Sequence, residues 1–163
     1  MPTRKQFYFV LPCLFYVSIA NSAGWEYAEF GMTAAELVKR SNGKARISDD
    51  PDLLATSQYV AGPFKFSVHF LSEDGDERLD KIKLILEDTS KYEGLKNVLS
   101  QKYGDPSCSE STENQFLQIV KFYKTCLWFT KSTAISLTHE DSNYASWDPE
   151  TYLVYSPLAL DKF

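Results

Sequence analysis

The stretch Phe64-Lys65-Phe66-Ser67-Val68-His69-Phe70-Leu71, followed after a charged break by Ile82-Lys83-Leu84-Ile85-Leu86-Glu87, decides how this chain folds. Successive side chains of a strand point to opposite faces. Phe64, Phe66, Val68 and Phe70 therefore form an apolar row, and Lys65, Ser67, His69 and Leu71 a mixed one. Ile82, Leu84 and Leu86 repeat the pattern against Lys83, Ile85 and Glu87. The intervening segment holds Asp74-Gly75, and glycine supplies the backbone freedom that a reversal needs. The pattern predicts a β-hairpin. A two-stranded hairpin is marginal alone, so its apolar face must be buried under other elements.

Those elements can be read on either side. Downstream, Ser90-Lys91-Tyr92-Glu93 has the form of a capping box. Tyr92, Leu95, Val98, Leu99 and Tyr103 then recur at three- and four-residue steps. They predict a helix over residues 91–103, closed by Gly104 and kept closed by Pro106. Upstream, Thr33-Ala34-Ala35-Glu36 is another capping box, with Met32 and Leu37 placed as a hydrophobic staple and Gly43 as the stop of a two-turn helix. Trp25, Tyr27 and Phe30 alternate with polar residues and are expected to lie across the domain. Residues 53–61 read as a strand, and 44–52 and 105–115 as polar connections. Residues 116–130 carry Phe116, Ile119, Val120 and Tyr123 at helical spacing. Their density of β-branched and aromatic residues favours a strand instead, with a break near Lys124-Thr125. Strands over 134–139 and 151–156 flank a long loop, and Pro157 halts the last. The expectation is an α+β fold: one antiparallel sheet of about six strands with two helices packed on it, compatible with two successive α-β-β-β units.

The N-terminus is set aside from that fold. Arg4 and Lys5 precede the apolar run 7–20, and small residues follow at Ser18, Ala20, Ser22 and Ala23. This order predicts a cleaved secretory signal over residues 1–23 and a single domain over 24–163. The run is shorter than the about 20 apolar residues of a membrane-spanning helix, so no membrane insertion is expected after cleavage. Without Arg4 and Lys5 the 17 basic side chains fall to 15 against 22 acidic ones, a net of −7. That balance disfavours nucleic acid and anionic membranes and permits a basic partner. Cleavage also removes Cys13, leaving Cys108 and Cys126. Two thiols in an exported chain predict a disulfide.

Candidate chemistry is sparse. His69 lies on the mixed face of the hairpin beside Lys65 and Ser67, and His139 precedes Glu140-Asp141 at a strand end. No nucleophile elbow, zinc-protease helix or phosphate-cradling glycine loop accompanies either histidine. The acids between Glu73 and Glu77 lack the alternate-position spacing of a calcium loop, and His139-Glu140-Asp141 is too short a cluster to specify a metal. No cofactor or metal is expected. The aromatic residues Trp128, Tyr144 and Trp147 remain as the candidate partner-binding set, because large rings in polar loops either plug the core or contact a partner.

Phe30-Gly31-Met32-Thr33, followed by Leu37-Val38, resembles the opening of small exported bacterial proteins, including the outer-membrane assembly lipoproteins of the BamE/SmpA type. Tyr103-Gly104-Asp105-Pro106 resembles the helix exit of periplasmic α/β proteins. The lipid-attachment cysteine of those lipoproteins has no counterpart here. What the resemblance implies is bacterial export and a non-enzymatic part in the envelope. The sequence thus predicts a periplasmic or secreted protein-binding module without catalysis, of inhibitor or immunity type. The alternatives are a small exported hydrolase using His69 or His139, and a carrier of a ligand or metal.

Overall fold

The computed structural model describes residues 24–73, 75–115 and 119–158. The proposed signal at 1–23, Asp74 of the hairpin turn and residues 116–118 lie outside them. The chain opens with a small two-stranded sheet, β1 (Gly24–Trp25) and β2 (Ala28–Glu29), and then helix α1 (Ala34–Arg40). A first meander follows: β3 (Ala45–Ile47), β4 (Leu53–Ala61), β5 (Phe64–Leu71) and β6 (Lys81–Leu86). After a 3-10 turn at Thr89–Lys91 comes helix α2 (Tyr92–Tyr103). A second meander completes the chain: β7 (Ser107–Asn114), β8 (Val120–Phe129), β9 (Thr133–Ser142) and β10 (Glu150–Pro157).

All eight long-sheet strands are antiparallel, in the order β3-β4-β5-β6-β10-β9-β8-β7. That order reads alike from either edge. Each meander begins at an edge and ends at the centre, where β6 and β10 pair through Leu84↔Leu153. The α+β expectation of about six strands is thereby corrected: 52% strand and 17% helix make the described residues mostly β. Four strands, not three, follow each helix. The added strands are β3 and β7, both at sheet edges. Edge strands need no buried face, so Ser-Cys-Ser-Glu-Ser-Thr-Glu-Asn in β7 can be exposed throughout and still pair. β8 runs without a break at Lys124-Thr125, which pair with Glu110 and Ser109. The expected long loop shrinks to residues 143–149, because β9 continues to Ser142.

One sheet face is covered. The rows Phe64, Phe66, Val68, Phe70 and Ile82, Leu84, Leu86 are buried, continued by Leu153 and Tyr155, Ile135 and Leu137, and Cys126 and Trp128. Leu37 of α1 and Leu95 and Leu99 of α2 close over this face. The N-terminal segment also lies on it, with the Trp25 ring 4.8 Å from that of Tyr59 and 6.5 Å from that of Phe70. The capping box of α1 is present: Thr33 N–H donates to Glu36, 2.9 Å, and Glu36 N–H to Thr33 Oγ1, 3.4 Å. The second one is not formed. Asp88 caps the 3-10 turn instead, accepting from Ser90 N–H at 3.2 Å, and Lys91 starts α2 without a side-chain cap. Gly104, at φ +90°, ends α2, and its carbonyl accepts from Trp128 Nε1 at 2.9 Å.

Candidate binding face

The other face of the sheet carries no helix among the described residues. Its composition follows from strand parity: where one neighbour is buried the next faces outward. The register aligns these outward residues in rows across the sheet. One row runs Gln58, Ser67, Ile85, Tyr152, Thr138, Thr125, Ser109. The next runs Thr56, His69, Lys83, Val154, Ser136, Leu127. Thr125 and Thr138 share a hydrogen bond at 3.1 Å, and Gln58 Nε2 donates to Ser67 at 3.3 Å. Leu127 and Phe129, 36% and 61% exposed, form an apolar corner of this face.

Two lysines organise the rest, each stacked on a ring and bonded to a glutamate. Lys83 Nζ lies 4.1 Å from the centre of the Tyr152 ring and donates to Glu150 at 3.0 Å. Lys121 Nζ lies 4.0 Å from the centre of the Trp147 ring and donates to Glu140 at 2.6 Å. An ammonium over an aromatic face is attracted by the ring quadrupole while its remaining donors stay available to a carboxylate. The second triplet is the tighter: the Lys121 and Glu140 side chains are only 12% and 13% exposed. The Glu140 hydrogen bond holds the Lys121 ammonium above its usual pKa, so the lysine stays charged at neutral pH. Burial raises the Tyr152 hydroxyl, keeping it neutral. Tyr123 donates to Glu113 at 3.0 Å on the same face. Loop 143–149 is drawn over the face by these contacts, turned by Trp147 N–H donating to the Tyr144 carbonyl at 2.9 Å.

The expected site residues separate. Tyr144 and Trp147 are exposed, at 53% and 39%, and both belong to the loop on the open face. Trp128 does not join them. It points to the covered side, is 2% exposed and spends its indole N–H on Gly104. As a partner contact it is corrected to a core residue, because its even-numbered position in β8 shares the face of Cys126. Cys108 and Cys126 are register partners at the β7–β8 step, their sulfurs at disulfide distance, 2.08 Å.

The two histidines occupy opposite faces. His69 lies on the open one, where burial and then the Lys83 charge lower its pKa and favour neutral imidazole. Among the described residues it has no hydrogen-bond partner. His139 lies on the covered one: its Nδ1 meets Thr151 Oγ1 at 2.8 Å and its ring lies 5.4 Å from that of Tyr92. It borders an open concavity of about 470 Å³ with Glu110, Lys124 and Asp141. Three acids of the 72–80 loop are occupied locally: Glu73 by Lys81, Asp76 by Arg78 N–H, Asp80 by Glu73 N–H.

Lys121 and Glu150 escaped the sequence reading, and Lys83 and Glu140 were read there without a role on this face. Each stands at an outward position of an alternating strand, so parity could have placed all four on one face. The pairing partners could not be found, because they come from strands whose register the sequence does not display. No protein-family model matches the chain, and neither does any curated protein or solved structure. Among the described residues no helix is long and apolar enough to cross a membrane.

Proposed function

We propose that the chain is an exported protein-binding module, periplasmic or secreted, that engages another protein through the open face of its sheet and acts without catalysis, as inhibitors and immunity proteins do. The observation that carries this reading is the Trp147 ring, seated on the sheet by Lys121 yet 39% exposed beside Tyr144. Aromatic anchors held by their own protein lose little conformational freedom on binding, and interfaces concentrate their energy in such residues. The Lys-Glu pairs around them satisfy their own charges and supply a polar rim. Residues Cys108 and Cys126 at disulfide distance agree with an oxidising compartment. Affinity capture from envelope extract tests the reading. The wild-type chain is expected to retain a protein that Trp147→Ala and Phe129→Glu both lose; repeated capture of nothing overturns it.

One observation favours a second reading. His139 borders a concavity with Glu110 and Asp141, the residue types a hydrolase would use. Against it, the imidazole is bonded to Thr151 rather than to a carboxylate, and His69 is on the other side of the sheet. An unchanged cellular phenotype in His69→Ala and in His139→Ala removes this reading.

A further inference from the structure

We propose that the free edge of β7 takes up an extended, lysine- or arginine-bearing segment of a partner protein as an added antiparallel strand. The two edges of the sheet differ in the features that govern such pairing. β3 is only 3 residues long, carries Arg46 and directly follows Lys44; short, basic edges discourage further strands. β7 is 8 residues long, every one exposed, with neither lysine nor proline, and its register with β8 is unbroken from Ser107↔Leu127 to Asn114↔Val120. Among the described residues nothing pairs with its outer side. Cys108 joined to Cys126 fixes the strand in place, so little further ordering is needed when another strand docks.

Charge selects the occupant. Parity puts Glu110 on the covered side of the sheet and Glu113 on the open side. The Glu110 side chain is 76% exposed despite Lys124 at 3.7 Å. Residues directly opposite on antiparallel strands are close neighbours, so a basic side chain opposite each glutamate is favoured and an acidic one disfavoured. A second copy pairing through β7 would bring together the acids of both strands with no base from either. The acidic chain as a whole also draws a basic segment toward it. This inference rests on the reading of the chain as a protein-binding module but uses a different surface, and the two can fail separately.

The test uses the full oxidised chain, isotope-labelled, and two blocked decapeptide probes, alternating Thr-Lys and alternating Thr-Glu. The Thr-Lys peptide is expected to shift backbone amides within 107–114, and the Thr-Glu peptide to shift none. The double variant Glu110→Lys, Glu113→Lys, at two exposed positions, is expected to reverse that preference, with the Thr-Lys affinity falling about tenfold. Trp147→Ala is expected to leave peptide binding unchanged, which separates this edge from the open face. Equal binding of the two peptides, binding of neither, or shifts centred on Trp147 and Tyr152 overturn the proposal. A concentration-dependent dimer with its β7 amides protected also overturns it, making a second copy the occupant.

Discussion

In the first meander the buried rows are Phe64, Phe66, Val68 and Phe70 on β5 against Ile82, Leu84 and Leu86 on β6. In the second, the rows under α2 include Thr133 and Thr151 beside Ile135, Leu137 and Leu153, and the edge strand β7 has nothing buried. Both meanders have the same strand sequence from edge to centre, so topology does not separate them. The material does. The inner strands of the first are held by apolar area removed from water. The outer strands of the second are held by backbone pairing, by the Cys108–Cys126 link and by side-chain pairs such as Thr125–Thr138 and Lys121–Glu140. Two halves of one sheet should therefore respond differently to loss of packing and to reduction.

The largest effect should come from the first meander. Phe70 is fully buried, with its ring 6.5 Å from Trp25 and 6.1 Å from Tyr27. Phe70→Ala is expected to cost about 3–5 kcal/mol in urea unfolding, as large-to-small aromatic truncations in cores do. A loss no larger than that of a surface substitution would break the contrast. Next comes the second meander's link. Cys108→Ser with Cys126→Ser is expected to cost about 3 kcal/mol, given a loop of 18 residues. Amide exchange should sharpen the comparison further: β7 amides exchange faster after reduction, while those of β5 keep their protection.

A smaller effect belongs to the helix of the first half. Thr33→Ala removes one side of the α1 capping box and is expected to cost about 1 kcal/mol by thermal unfolding. The smallest is a pH effect. The His69 pKa is lowered in the folded chain by burial and by Lys83, so the unfolded chain takes up the proton more readily. Stability from this site is complete above the unfolded value of about 6.5 and declines as pH falls below it. His69→Gln should flatten the acid side of the stability curve, measured by urea unfolding between about pH 7 and pH 5. An unaltered slope would show that His69 is more open to water than its place on β5 indicates.

Legibility in the sequence followed the same division. The β5–β6 hairpin could be read because one face of each strand is buried, which makes alternation visible. α1 and α2 could be read because Thr33-Glu36 and the Tyr92-Leu95-Leu99 stripe are local signals. β7 could not, since a strand whose eight side chains are all exposed has no apolar period. β3 is too short to show one. Asp88, not Ser90, caps the turn before α2, because the 3-10 turn shifts the chain entry by a residue pair that spacing alone cannot resolve. Of the candidate site, Tyr144 and Trp147 were visible as rings in a polar loop. Trp128 was misplaced, since choosing its face required the register of β8 against β9. The lysines that seat the rings depend on contacts between residues 67 and 26 positions apart, Lys83 with Glu150 and Lys121 with Trp147.

Oxidative side-chain footprinting of the chain with and without its captured envelope partner tests most directly whether the open face is where the protein acts. The account predicts protection of Trp147, Tyr144 and Phe129, with Val98 on the outer side of α2 oxidised as before. Protection of Val98 and Phe122 with Trp147 left reactive would contradict it.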